Sequence, residues 1–242
     1  MPSTAMASES LRISIYADGA DVRDMIAARD AGIVRGFTTN PTLMRKCGVS
    51  DYQSFALEAL EAVSGMPISF EVFADDFDEM ERQARLISTW GDSVFVKIPV
   101  TNTAGESAVP LIQRLSAAGV KLNITAILTL EQVLEVVNAL DPNTPAIVSV
   151  FAGRIADTGR DPVPLMRDAA AIVSTKPKAQ LLWASPRELL NIFQADEVGC
   201  HIITVTSDIL KKLAMVGKSL DELSLDTVKM FYNDAAAAGF RL

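Results

Sequence analysis

The stretch Val94-Phe95-Val96-Lys97-Ile98-Pro99-Val100 places one lysine inside an otherwise apolar run. A short run of β-branched and aromatic residues is typical of a strand buried in a parallel sheet. A segment with helical spacing of its apolar residues follows at 106–118. We therefore interpret the two segments as one strand–helix unit, with Lys97 near the carboxyl end of the strand.

The same alternation of a short apolar strand and a longer helical segment recurs along the chain. The other predicted strands are residues 12–16, 34–38, 68–73, 121–124, 146–150, 180–184 and 201–205. The other predicted helices are residues 21–31, 52–64, 76–89, 131–139, 162–174, 186–195 and 207–215. Eight such units predict one α/β domain over residues 1–242, closed into a (β/α)8 TIM barrel.

Residues at the ends of the predicted helices support these boundaries. Pro162 and Pro186 fall near helix starts, where a missing N–H costs little. Left-handed glycines are expected just past helix ends, at Gly32, Gly65, Gly91 and Gly119. Residues 1–11 are interpreted as a flexible lead, and residues 225–242 as an extra C-terminal segment that is helical over 225–240.

Composition and charge exclude several classes of function. Hydrophobic residues make up 49% of the 242 residues, which allows a large core. No uncharged apolar run is long enough to span a membrane. The formal net charge is -8 without a Lys/Arg cluster, which argues against nucleic acid or an anionic membrane as a partner.

Cysteine and histidine usage narrows the chemistry further. Cys47 and Cys200 lie far apart and are read as two reduced thiols in a cytoplasmic protein. His201 is the single histidine, so a Ser-His-Asp triad or a His-rich metal site is not expected. The glycine pattern of dinucleotide-binding sheets is missing after the first strand. We expect no cofactor and no metal.

Polar residues occur at the carboxyl end of every predicted strand, where barrel enzymes place their chemistry. Lys97 is the most informative, because burial disfavours an ammonium and favours the free amine, a nucleophile that forms an imine with a carbonyl. The alternative is a lysine at the strand edge that reaches solvent.

Two carboxylates are candidates for the proton transfers that imine chemistry needs. Glu71 interrupts the apolar strand at Ser69-Phe70-Glu71-Val72-Phe73, and Asp18 follows the first strand. The alternatives are a structural ion pair and, for Asp18, a helix N-cap.

The remaining candidates are of the types that could bind a phosphorylated sugar. Arg154, Ser185 and Arg187 could form an anion site, unless the two arginines are ordinary surface residues. Asn40, Asn123 and Thr125 could bind sugar hydroxyls, although Asn40-Pro41 also suits a simple turn.

Five motifs occur in an order that resembles the transaldolase family. They are Thr38-Thr39-Asn40-Pro41, Val96-Lys97-Ile98-Pro99, Leu122-Asn123-Ile124-Thr125, Phe151-Ala152-Gly153-Arg154 and Ala184-Ser185-Pro186-Arg187. The length is similar to the short members of the family, which include fructose-6-phosphate aldolases. The resemblance covers residues 13–213 and implies a metal-free class I aldolase barrel.

Carried over by motif, the resemblance assigns a role to each candidate. Lys97 is implied to be the Schiff-base nucleophile, and Asp18 to exchange the proton of the substrate C4 hydroxyl. Glu71 is implied to act through a water that Thr125 orients. The implied substrate-binding residues are Asn40 and Asn123 for hydroxyl groups, Ser149 beside the dihydroxyacetone unit, Arg154, Ser185 and Arg187 for the phosphate, and also Thr38 and Phe151.

Two positions bear on the subclass. Glu71 and Phe151 resemble transaldolases, whereas the aldolases of the family carry Gln and Tyr there. We therefore expect transfer of a dihydroxyacetone unit from a ketose phosphate to an aldose phosphate. The alternatives are an aldolase that releases dihydroxyacetone, a non-catalytic sugar-phosphate-binding barrel, and a sulfonated or unphosphorylated sugar as substrate. The sequence departs from the family at Tyr16-Ala17-Asp18-Gly19-Ala20 and at Trp183.

The resemblance also carries an expectation about assembly. In the family that the sequence resembles, short members assemble into rings of five subunits or pairs of such rings, formed in part through the C-terminal helix. We therefore expect a homo-oligomer, with a pentamer or decamer as the candidates.

Overall fold

The computed structural model describes residues 11–241 and contains a closed barrel of eight parallel strands in sequential order. The strands are β1 (Ser14–Asp18), β2 (Gly36–Thr38), β3 (Ile68–Glu71), β4 (Val94–Pro99), β5 (Leu122–Ile127), β6 (Ala146–Val150), β7 (Ala179–Trp183) and β8 (Ile202–Val205). The last strand pairs with the first and closes the barrel. The predicted (β/α)8 fold is confirmed. Residues 1–10 of the predicted lead lie outside the described residues.

Helices form the outer layer of the described structure. They are α1 (Val22–Asp30), α2 (Pro41–Lys46), α3 (Tyr52–Val63), α4 (Phe77–Ser88), α5 (Val109–Ala117), α6 (Leu130–Ala139), α7 (Ala152–Ala156), α8 (Val163–Val173), α9 (Leu190–Glu197), α10 (Ser207–Lys212) and α11 (Leu220–Ala237). A 3-10 turn, Leu213–Met215, extends α10. The short helices α2 and α7 follow β2 and β6 directly and were not predicted.

Strand alternation separates the two faces of the barrel wall. Val96, Ile98 and Ile124 are fully buried under the helices. The residues between them, such as Lys97 and Asn123, are adjacent in register and face the barrel interior. The apolar sequence neighbours of Lys97 therefore belong to the other face of the strand.

An aromatic side chain fills the barrel below the site. A Cβ built on Gly36 would lie 2.5 Å from the Tyr16 ring, so the position tolerates no side chain. Tyr16 packs with Ile147, Leu182 and Ile202. Burial raises the pKa of Tyr16 to about 12. The barrel interior around Tyr16 is therefore a packed core.

The predicted first strand, residues 12–16, is shifted in the structure to Ser14–Asp18. The N–H groups of Arg12 and Ile13 both donate to the Asp196 carboxylate at 2.8 Å. Because a side chain takes these donors, pairing with β8 starts at Ser14, and Asp18 becomes the last residue of the strand.

The predicted helix at residues 186–195 begins four residues later than expected, at Leu190. Ser185 has a left-handed φ of 57°, and the N–H groups of Arg187 and Glu188 donate to Asn191 Oδ1. This turn delays the helix, so the prediction from Pro186 was wrong.

Two further boundary predictions need correction. Gly32, Gly65 and Gly119 have a positive φ as predicted, but Gly91 does not. The chain leaves α4 at Ser88 and turns through Thr89 and Trp90 with φ in the ordinary range, so no left-handed residue is needed at Gly91. The predicted C-terminal helix, residues 225–240, instead spans Leu220–Ala237. Its start is set by Ser219, whose side chain accepts the N–H of Glu222.

Candidate active site

A cavity of about 530 Å³ opens at the carboxyl ends of the strands, within the usual range for small-molecule sites. The register of the barrel brings eleven of the predicted site residues to its wall. They are Asp18, Thr38, Asn40, Glu71, Lys97, Asn123, Thr125, Ser149, Phe151, Arg154 and Ser185. With Leu182 of β7 and Thr204 of β8, the cavity assembles residues from all eight strands and from the segments that follow them.

Lys97 lies in the wall of this cavity and is 7% exposed. Its amine donates to the carbonyl oxygen of Thr39 at 2.9 Å and lies 3.0 Å from Glu71 Oε2. The ion pair arises from register, since Glu71 and Lys97 are direct partners of β3 and β4. The lysine is thus buried, but its amine has two partners, the Thr39 carbonyl and the Glu71 carboxylate.

Asp18 occupies the same cavity and receives two hydrogen bonds from β2 and the residues after it. The Thr38 hydroxyl donates to Asp18 Oδ1 at 2.8 Å, and Asn40 Nδ2 donates to Oδ2 at 3.5 Å. Burial raises the pKa of Asp18, and this influence outweighs the opposing ones of the Lys97 ammonium and the Thr38 hydroxyl. The N-cap of α1 is Asp21, so Asp18 has no capping role.

Thr204 extends this hydrogen-bonded group across the closure of the barrel. Since the Thr38 hydroxyl uses its proton to donate a hydrogen bond to Asp18, the Thr204 hydroxyl must be the donor to Thr38 Oγ1. Asn40 meanwhile caps α2 through Oδ1, which accepts the N–H of Leu43 at 3.0 Å. The turn and ligand interpretations of Asn40 are compatible, because Oδ1 caps α2 while the side chain also lines the cavity beside Asp18.

A second buried group orders the amide of Asn123. The Ser149 hydroxyl donates to Asn123 Oδ1 at 2.6 Å, and Asn123 Nδ2 donates to Ser69 Oγ at 3.0 Å. These bonds leave one amide proton of Asn123 for a ligand. Thr125 lies one inward position further along β5, just before a break in register at Ala126, whose φ is 62°.

Gly153 brings the two sides of the proposed anion site together. A Cβ at this position would lie 1.5 Å from the carbonyl oxygen of Ser185, so the close approach requires glycine. Arg154 and Ser185 therefore line one end of the cavity, with the Arg154 guanidinium 5.3 Å above the Phe151 ring. This end suits a phosphate.

Arg187 is the one predicted site residue that does not line the cavity. Its guanidinium donates to both carboxylate oxygens of Asp157, with Nε 2.9 Å from Oδ1, and about half of its side chain is exposed. This surface ion pair lowers the pKa of Asp157 and raises the pKa of Arg187. Of the three residues predicted to bind an anion, only Arg154 and Ser185 therefore line the cavity.

Sequence reasoning noted Thr204 only as a polar residue at the end of its strand, and it did not single out Ser69. Ser69 accepts a hydrogen bond from Asn123 directly, and Thr204 holds Asp18 through Thr38. Ser69 lies two positions before Glu71 on β3 and shares its inward face, and Thr204 faces inward from β8. Strand alternation could therefore have indicated both roles. Over residues 11–241, no cluster of three or more His, Cys, Asp and Glu side chains is arranged for a metal ion. No helix in that range is long and apolar enough to cross a membrane.

The fold and the cavity define a (β/α)8 barrel with an enzyme-like site at the carboxyl ends of its strands. A model of the family Transaldolase/Fructose-6-phosphate aldolase matches residues 15–242. The chain belongs to this family.

Named relatives agree with the family assignment. The chain is 35% identical over 200 residues to a probable transaldolase of Dehalococcoides mccartyi, covering 82% of this chain and 89% of the relative. It is 33% identical over 226 residues to a probable transaldolase of Streptococcus equi subsp. zooepidemicus, covering 93% and 99%. It is 32% identical over 202 residues to probable transaldolase 2 of Listeria monocytogenes, covering 83% and 88%.

Proposed function

We propose that the protein is a transaldolase, which transfers a dihydroxyacetone unit from a ketose phosphate to an aldose phosphate through an imine on Lys97. The observation that carries this proposal is the buried Lys97 amine in the cavity wall, 3.0 Å from Glu71 and near Asp18. An amine with a carboxylate at hydrogen-bond distance can lose and regain protons during carbonyl attack.

The proposed reaction begins with attack of Lys97 Nζ on the C2 carbonyl of the ketose phosphate. The resulting carbinolamine loses its oxygen as water and becomes an iminium. Glu71 supplies the proton for this step through a water that Thr125 orients. Asp18 then takes the proton of the C4 hydroxyl as the C3–C4 bond breaks. The electron pair of that bond moves into the iminium to give an enamine, and the aldose phosphate leaves.

The second half reverses these steps with a new partner. The enamine carbon attacks the aldehyde of an acceptor aldose phosphate, and Asp18 returns its proton to the new hydroxyl. Water adds to the iminium and releases the ketose product from Lys97. The raised pKa of Asp18 suits a group that must both accept and donate a proton in the working range.

Borohydride reduction tests the imine directly. Incubation with fructose 6-phosphate and borohydride is expected to add one reduced dihydroxyacetone unit to the chain, as read by intact-mass spectrometry. Lys97→Met is expected to abolish the adduct. An adduct that persists in Lys97→Met would refute the assignment of Lys97, and no adduct on the wild type would favour a sugar-phosphate-binding barrel without catalysis.

An aldolase that releases free dihydroxyacetone is the second candidate, because the family includes both activities. Phe151 favours transfer, since its ring has no proton to give the enamine, which then persists until an acceptor binds. A coupled assay with and without an acceptor aldose separates the two. Rapid turnover without acceptor would contradict the transferase proposal, and a panel with a sulfonated ketose and an unphosphorylated ketose would define the donor.

We further propose that the protein is cytoplasmic and forms a homo-oligomer through α11. Within the described chain this helix has no buried residue and exposes a series of large apolar side chains: Leu220, Leu225, Val228, Met230, Phe231 and Tyr232. Such a surface is costly in water unless it is covered. Light scattering should give the mass of a multimer, and Phe231→Glu with Leu225→Glu should reduce it. A monomeric wild type would contradict the proposal.

A further inference from the structure

The carbonyl of Glu71 lies just beyond the last backbone hydrogen bond that the β2 segment donates to β3. The N–H of Phe37 donates to Pro67 O at 2.8 Å, and the N–H of Thr39 donates to Ser69 O at 3.2 Å. At this two-residue spacing the next donor would be Pro41, which has no N–H and already begins α2. Pairing with β2 therefore cannot satisfy the Glu71 carbonyl.

Tyr52 supplies the missing donor from outside the barrel. Its hydroxyl donates to the Glu71 carbonyl oxygen at 2.8 Å. The Tyr52 ring is held edge-on against Phe70, Phe73 and Trp90, with centroid distances of 6.3, 5.3 and 5.5 Å. Burial raises the pKa of Tyr52, so the hydroxyl stays protonated as a donor.

The chain just beyond Glu71 is held from the opposite side. The N–H of Val72 donates to the Lys97 carbonyl at 3.0 Å. Gln83 Oε1, from α4, accepts the N–H groups of Phe73 and Ala74 at 2.9 and 3.1 Å. Side chains from the helices before and after β3 thus fix the end of this strand.

We propose that Tyr52 is a positioning residue that holds the Glu71 carboxylate at working distance from the Lys97 amine. Tyr52 does not line the cavity, so it acts through the backbone of Glu71 rather than on substrate. Proton transfer needs heavy atoms within about 2.6–3.2 Å, and a displacement of about 1 Å can cost orders of magnitude in rate. This inference rests on the proposed imine function of Lys97 and Glu71.

Tyr52→Phe is the direct test, because it removes the hydroxyl and keeps the aromatic packing. The single-turnover rate constant for formation of the borohydride-trapped imine should fall about 3- to 10-fold, as expected for loss of one hydrogen bond. The KM for the ketose phosphate should change less than about twofold, because the phosphate end is untouched. Thr144→Val, which removes another buried hydroxyl that donates to a backbone carbonyl, that of Ser116, outside the cavity, is the matched control and should behave as the wild type.

The rate constant separates positioning from a purely structural role. Partial unfolding would lower the amount of trapped protein and leave the rate constant of the folded fraction unchanged. Gln83→Leu removes the acceptor on the other side of the strand end and should slow trapping in the same direction but less. It carries the test if Tyr52→Phe does not fold.

Wild-type rate constants in both variants would overturn the inference while leaving the proposed function intact. Absence of any trapped imine on the wild type would instead overturn the proposed function first. A drop in rate in Tyr52→Phe with normal KM, together with an unaffected Thr144→Val, would support the positioning role.

Discussion

Lys97 Nζ lies 3.0 Å from Glu71 Oε2, and the two residues face each other because β3 and β4 pair them in register. The lysine therefore has a proton acceptor beside it even though its sequence neighbours are apolar. Imine formation requires the amine to lose a proton before attack and the carbinolamine oxygen to gain protons before it leaves. Glu71 is placed for both exchanges.

Glu71→Gln is expected to slow imine formation by about 100-fold or more, since an amide cannot exchange protons as a carboxylate does. The measurement is the single-turnover rate of borohydride trapping on Lys97. Glu81→Gln, a carboxylate of α4 that pairs with Arg85 and Arg114 outside the cavity, is the control and should leave the rate unchanged. Trapping at the wild-type rate in Glu71→Gln would remove Glu71 from the proposed mechanism.

Thr38→Val is expected to move the acid limb of the kcat/KM profile to higher pH. The Thr38 hydroxyl lowers the pKa of Asp18, so its removal raises that pKa further above the ordinary value. Less of the ionised base is then present at a given pH. Thr204→Val, which removes the hydroxyl one bond further away, should move the limb less. An identical profile in Thr38→Val would mean that Asp18 does not set this limb.

Arg154→Ala is expected to raise the KM for a phosphorylated ketose about 10- to 100-fold, as for loss of a charge-assisted hydrogen bond. Gly153→Ala should act in the same direction, because its Cβ would displace Ser185. Arg187→Ala should have a smaller effect, since Arg187 is paired with Asp157 outside the cavity. KM values for an unphosphorylated ketose provide the reference. An Arg187→Ala effect equal to that of Arg154→Ala would restore Arg187 to the anion site.

The stability of the barrel should fall in mild acid because of His201. Its Nδ1 accepts the N–H of Leu181 of β7 at 3.0 Å, which requires the neutral ring, and partial loss of hydration around this exposed residue lowers its pKa. The unfolded chain, with the ordinary value of 6.5, then binds the proton more tightly than the folded chain. The contribution of His201 to the free energy of unfolding should therefore be fully present above that value and decrease as the pH falls below it.

Urea unfolding of the wild type and His201→Gln at pH 8 and pH 5 isolates this contribution, because the chain has one histidine. The difference between the two proteins should change with pH in favour of His201→Gln in acid. A pH-independent difference would show that His201 keeps its ordinary titration in the folded state.

Much of the site was predictable because barrel strands obey simple rules. Alternation along a strand places Lys97 and Glu71 on the inner face, and parallel order places both at the same end of the barrel. Arg187 shows where this reasoning stops. Its motif predicts a clamp with Arg154, but the left-handed turn at Ser185 and the carboxylate of Asp157 direct it elsewhere. Neither the turn at Ser185 nor the ion pair between Arg187 and Asp157 can be deduced from local sequence.

The sequence by itself determined the eight-fold strand–helix repeat, the inward polar residues and the family resemblance, because each depends on spacing along the chain. Only the tertiary structure decided which groups touch. Closure of the barrel joined Thr204 to Thr38, register set Lys97 against Glu71, and the missing N–H of Pro41 left a carbonyl for Tyr52. Such contacts join residues distant in sequence, so their geometry is defined only when the whole barrel closes.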